Sequence, residues 1–197
     1  MQYDFRRLIN NLFPVLLLSG LSMSSFAFDN DRKGFSVGIG AGSQSTVVDF
    51  ISSEKAVFTG NYTGAAASMR IGLGFSNRFL YYLAVDMASY DAPDDIGGEL
   101  VSYTSSLQGV VAAYYLKERA PSAYALGGVG WGNLTIDSPS FSDSDDGSAL
   151  ILGGGYEFMR HHSIELTILS TSIASKYSDI DSIDSVSTRL MYQYAFY

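Results

Sequence analysis

The chain has 197 residues, a formal net charge of −8 and no cysteine. Charged side chains make up 16% of it, against roughly 25% in an ordinary soluble domain, while aromatics reach 14% and glycines number 20. Such a composition fits one domain and excludes a basic nucleic-acid binder, a disulfide scaffold, a thiolate metal site and a disordered chain.

Arg6 and Arg7 precede an apolar run from Leu12 to Leu21, and Ser22-Met-Ser-Ser-Phe-Ala27 follows it. A charged start, a short apolar stretch and small residues at Ser25 and Ala27 predict a secretory leader over residues 1–27. Cleavage is expected after Ala27, with Ser25 as the near alternative. The run is too short for a membrane helix, which takes about 20 apolar residues. Losing Arg6, Arg7 and Asp4 makes the mature domain, residues 28–197, one unit more negative. No later stretch is apolar enough for a membrane helix, so the mature domain is secreted, periplasmic or a β-barrel.

Alternation with period two then runs through the chain, the pattern of strands with two unlike faces. Phe35, Val37, Ile39 and Ala41 alternate with Ser36, Gly38, Gly40 and Gly42. Ala65 to Phe75 and Tyr81 to Met87 repeat the pattern, with Arg70 and Asp86 on the second face. Two strands are expected near 101–116 and 122–136, where small residues on both faces leave the parity open. Leu150, Leu152, Tyr156 and Phe158 alternate with Ile151, Gly153, Gly155 and Glu157. Ile164, Leu166 and Ile168 follow, with Glu165 between, and Leu190, Tyr192, Tyr194 and Phe196 close the series, with Arg189 on the second face.

A soluble barrel studs its outside with Lys, Glu and Arg. Here Arg70, Asp86, Glu157, Glu165 and Arg189 are nearly the only charges within strands. Turned inside out, the pattern works: large apolar residues meet lipid, and a small polar face fills a narrow interior. Short turns are expected near Asn77, Arg119 and His161, spaced 42 residues apart, with Phe35 another 42 before Asn77. That spacing gives four up-and-down units. The expected fold is all-β, an eight-stranded antiparallel up-and-down transmembrane barrel.

Longer polar connections are expected at 51–60, 91–99, 137–147 and 176–185. The charges sort with the two sides. The short turns carry Arg78, Lys117, Arg119 and Arg160 against Glu118. The long connections are acidic, with Glu54, Asp91, Asp94, Asp95, Glu99, Asp137, Asp143, Asp145, Asp146, Asp179, Asp181 and Asp184 against Lys55 and Lys176.

Tyr124-Ala-Leu-Gly-Gly-Val-Gly-Trp-Gly132, Leu152-Gly-Gly-Gly-Tyr-Glu-Phe158 and the aromatic ending Tyr194-Ala-Phe-Tyr197 carry a resemblance. On these segments and on layout the chain resembles the OmpX/Ail-like small outer-membrane barrels, related in form to the transmembrane domain of OmpA. Members end on an aromatic in phase with the lipid-facing set; here Phe196 is in phase and Tyr197 follows it. The resemblance implies a monomeric barrel in the Gram-negative outer membrane, exported through the periplasm. It also implies roles in adhesion, stress resistance or envelope integrity, carried by surface loops.

Five inward charges are candidates for an interior structural network: Arg70, Asp86, Glu157, Glu165 and Arg189. Hairpin symmetry about residue 78 predicts an Arg70–Asp86 ion pair on adjacent strands. Symmetry about His161 sets Glu157 opposite Glu165, a pairing that invites acid/base chemistry but reads better as part of the network with Arg189. His161, Ser163 and Glu165 at alternate positions invite a lipid-hydrolase reading. Against it, the histidine falls in a solvated turn and no oxyanion-hole element is recognisable. Asp143-Ser-Asp-Asp-Gly147 resembles the start of a calcium loop, but the twelfth position, Gly154, has no carboxylate. No catalytic residue, cofactor or metal is therefore expected. Outer-membrane lipid and lipopolysaccharide are the expected surroundings, a surface ligand would meet the long connections, and nucleic acid is not a partner. Alternatives to this non-enzymatic reading are a lipid A-modifying hydrolase and a small low-conductance porin, the latter disfavoured because eight strands leave little open interior.

Overall fold

A computed structural model describes residues 31–52, 55–93, 100–138, 141–174 and 181–197. The expected leader over 1–27 lies outside the described residues. Eight strands follow one another: β1 Gly34–Ser52, β2 Lys55–Gly74, β3 Phe79–Pro93, β4 Leu100–Tyr115, β5 Ser122–Ser138, β6 Phe141–Met159, β7 His162–Ala174 and β8 Ser182–Phe196. Each pairs antiparallel with its sequence neighbours, and β1 pairs with β8 to close the barrel. Closure leaves no edge strand unpaired.

The alternating pattern is the reason for the wall. Leu83, Leu152, Leu166 and Leu190 are each more than half exposed, while their chain neighbours Ala84, Ile151, Glu165 and Arg189 are buried. The two strands of open parity now have one: Leu107, Val111, Ala113, Tyr124 and Leu126 point inward, and Tyr114, Val129 and Trp131 point outward. The outward apolar residues form a band. Phe75, Phe79, Tyr114, Tyr156 and Tyr192 border it on the side of the short turns, and Trp131 stands at its other border. Beyond Trp131 the outward residues turn polar, and cross-strand bonds replace apolar surface. Asn133 donates to Asp146 at 2.8 Å, and Ser172 donates to Asp184 at 2.7 Å.

The strands run well past this band. A membrane crossing takes about 9–11 tilted residues, yet β1 has 19 and β2 has 20. This corrects the expected long connections. Residues 51–52 and 55–60, 91–93, 137–138 and 141–147, and 182–185 are strand, and the remaining positions except Asp181 fall outside the described residues. Beyond the band the hairpins continue, β1 with β2 and β5 with β6, while the β2–β3 ladder ends at Ala65–Ser89 and the β6–β7 ladder at Gly147–Ile173, so segments rich in Thr, Ser, Val and Phe stay in hairpin ladders beyond the membrane. Residues 143–147 are likewise extended and paired with 132–136, which removes the calcium-loop reading.

Candidate functional site

The inward face is a stack of polar and apolar layers. At the end of the short turns, Arg32 lies just before β1 and is buried inside the mouth. Its Nε donates to Glu157 at 2.8 Å, and its Nη1 donates to the carbonyls of Asn77 and Lys117 at 2.9 and 2.8 Å. Its guanidinium lies 4.0 Å above the Tyr115 ring. Tyr197 donates its hydroxyl to the same Glu157. Burial, then the carboxylate beside it, holds the Tyr197 phenol above its ordinary range. An aromatic and aliphatic layer follows, with Leu80, Tyr82, Val111, Tyr115, Tyr124 and Leu126, in which Tyr115 stacks on Tyr124 at 4.6 Å.

The next layer holds the remaining charges. Arg70 grips Glu165 with both terminal nitrogens, at 2.7 and 2.6 Å, and Tyr124 donates to Glu165 at 3.0 Å. Arg189 stands 3.1 Å from Asp86 and donates to Gln44 at 2.9 and 2.6 Å. Gln44 in turn donates to Thr46, Ser105 and Ser187 at 2.9, 3.1 and 3.2 Å. Above this, Val48, Leu134, Ile173 and Ile183 form an apolar cluster against Tyr62 and Tyr103. Tyr62, Tyr90 and Tyr103 stack on one another with centroids 5.2–5.6 Å apart. The cavity below that cluster, bordered by Ser105, Ser187 and Tyr90, measures ≈ 10 Å³. That is room for about one water. Among the described residues, side chains pack across the interior in each of these layers, an arrangement that gives no support to a permanently open pore.

All five expected interior charges are buried and inward. Their partners differ from hairpin symmetry. The β2–β3 turn centres on Asn77 and not on residue 78, so Arg70 faces Ala84 and Asp86 faces Ser68. Ser76 fixes that turn by accepting the amides of Arg78 and Phe79 at 3.3 and 3.1 Å. Glu157 faces Ser163, and Glu165 faces Gly155, because a bulge separates Glu157 from Met159 beside the tight turn at His161. His161 takes the left-handed conformation there, with φ 73°. The two glutamates are thus not a facing pair; each is held by its own arginine.

His161, Ser163 and Glu165 do not converge. Nδ1 of His161 bonds the Ala195 carbonyl at 2.8 Å, Tyr124 donates to Ser163 at 3.3 Å, and Glu165 is held by Arg70. Among the described residues no bond joins these three into a nucleophile–base pair. Arg32, Gln44 and Tyr197 are network members that the sequence reading passed over. Strand parity would have found Gln44, on the even inward set of β1, and Tyr197, which continues the odd inward set of β8, whereas Arg32 precedes β1.

A closed eight-stranded barrel that is apolar outside and charge-paired within is a transmembrane barrel of the outer-membrane type. The family model described as outer membrane protein beta-barrel domain matches residues 13–196. The chain belongs to that family, and its place is the outer membrane. Its fold is similar to Ail of Yersinia pestis, solved with the heparin analogue sucrose octasulfate, at 16% identity and TM-score 0.54 over 83% of this chain and 99% of that one. It is also similar to Neisserial surface protein A, at 15% identity and TM-score 0.54 over 82% of this chain and 97% of that one. No curated protein is similar enough in sequence to count as a relative.

Proposed function

We propose that the protein is a non-enzymatic barrel that presents an acidic surface outside the cell. The carrying observation is that the strands continue as paired hairpins beyond the apolar band, on the side of the acidic segments. Among the described residues, its membrane part is packed with side chains around a cavity of only ≈ 10 Å³. The outer part carries the residues that can meet a partner. Four segments, 51–60, 91–99, 137–147 and 176–185, supply acids that outnumber lysines. A polycationic partner matches that field, directly or through divalent cations shared with lipopolysaccharide phosphates. Sucrose octasulfate is bound by Ail; for this chain its charge has the wrong sign. Residues 1–27 act as the export leader, and the closed wall fits a monomer.

Cells displaying the protein should bind a fluorescent oligo-arginine peptide more strongly than cells lacking it. Binding should fall several-fold in the Asp143→Asn, Asp145→Asn, Asp146→Asn variant and vanish at 1 M salt, where charges more than about 3 Å apart are screened. Unchanged binding by that variant, or direct binding of sucrose octasulfate without divalent cations, would overturn the reading.

A further inference from the structure

At the end of the short turns a cleft of ≈ 280 Å³ opens between the turn over 116–121 and the turn at 160–161. It is built from two kinds of surface. Its floor is the buried Arg32–Glu157 pair. One wall is Phe158 and Met159, and Met159 is 56% exposed at the foot of the lipid-facing surface. The rim carries Arg119 and Arg160.

The charges at the cleft do not cancel. Glu157 is neutralised by Arg32, and Glu118 pairs with Arg78 at 3.4 Å. Among the described residues neither Arg119 nor Arg160 has a carboxylate partner. Two uncompensated guanidiniums therefore stand over a hollow that has an apolar wall next to lipid. A guanidinium matches a phosphate with parallel hydrogen bonds. An apolar wall continuous with the lipid-facing band suits acyl chains and not a free ion.

We infer that this cleft binds the phosphate of a membrane glycerophospholipid, with Arg119 and Arg160 on the phosphate and Phe158 and Met159 against the first acyl carbons. In an outer-membrane barrel the short turns face the periplasm, so the lipid would come from the periplasmic leaflet. The site would fix one lipid to the wall beneath β5 and β6.

The test is native mass spectrometry of the full barrel in octyl glucoside, titrated with dioleoyl-phosphatidylglycerol. The wild-type protein should retain one bound lipid. Each arginine near a membrane surface is worth about a factor of five in affinity, so the Arg119→Gln, Arg160→Gln variant should bind about twenty-five-fold more weakly. Both side chains are exposed, and an Arg119→Lys, Arg160→Lys variant keeps the charge and should retain most of the binding. Lys33→Gln, which removes a basic side chain from the same rim outside the cleft, should bind like wild type. Inorganic phosphate at the lipid's concentration should not displace the lipid. Equal binding by wild type and the double glutamine variant, an equal loss in Lys33→Gln, or displacement by inorganic phosphate would each overturn the proposal.

Discussion

Replacing Glu165 with alanine is expected to cost the barrel about 3–5 kcal/mol of unfolding free energy, the usual loss when one partner of a buried ion pair is removed. Arg70 is 7% exposed, and both of its terminal nitrogens end on Glu165. Without the carboxylate that guanidinium stays inside the wall with no carboxylate in direct contact. Asp86 acts on Arg70 through its field and compensates only in part, because its own ion pair is with Arg189 and its register position faces Ser68. Tyr124 would also lose the nearer of its two acceptors, at 3.0 Å, and keep Ser163 at 3.3 Å. The loss is read by guanidinium titration of vesicle-embedded protein, followed by the fluorescence of Trp131, the single tryptophan. An Arg70→Met, Glu165→Leu protein should recover much of it, since two apolar groups leave no charge stranded. A loss below about 1 kcal/mol, the range of exposed pairs, would show that water reaches the pair freely.

The second large effect is expected at Gly155. This glycine lies opposite Tyr124 on one side and Glu165 on the other. The Tyr124 ring crosses it to reach Glu165, so a Cβ at residue 155 would stand inside the ring's contact distance. Gly155→Val therefore overpacks the layer, at about 1–3 kcal/mol. It also pushes the phenol off Glu165, and a hydrogen bond to a charged group is worth about 1.5–3 kcal/mol. The same titration should show a combined loss of about 3 kcal/mol or more, with the barrel still able to fold at low denaturant. Adding Tyr124→Ala should make the double variant less destabilised than the sum of the singles, because the two residues share one space. Strict additivity would mean that the ring does not occupy that space.

Much of this was readable from residues alone, for a physical reason. A strand wall between lipid and a narrow interior allows large apolar side chains on one face and small or polar ones on the other. The Leu150–Phe158 and Ile164–Ile168 alternations could therefore take only one orientation. The inward position of Arg70, Asp86, Glu157, Glu165 and Arg189 followed from the same parity. What could not be read was who meets whom. Hairpin symmetry reports neighbours in the ladder, but Arg70 on β2 reaches Glu165 on β7, and Arg189 on β8 reaches Asp86 on β3. A small barrel lets a long arginine cross the interior, so its partner depends on tilt and stagger rather than on turn position. Arg32 escaped notice because it precedes the first strand, and polar residues before a strand ordinarily stay in water. The strand ends were also hidden. Segments such as 141–147 carry loop-like Ser, Asp and Gly, and it is the continuing hairpin ladder with β5 that keeps them extended.

The orientation of the barrel is the point on which the surface role and the lipid site both depend. The chain has no cysteine, so single introduced thiols report cleanly. Ser144→Cys lies in the outer extension of β6, and Lys117→Cys lies in the turn after β4. Intact cells treated with a membrane-impermeant maleimide should label Ser144→Cys at once and should label Lys117→Cys only after the outer membrane is opened. Labelling of Lys117→Cys on intact cells, with Ser144→Cys protected, would contradict the acidic outer face and place the arginine cleft outside the cell.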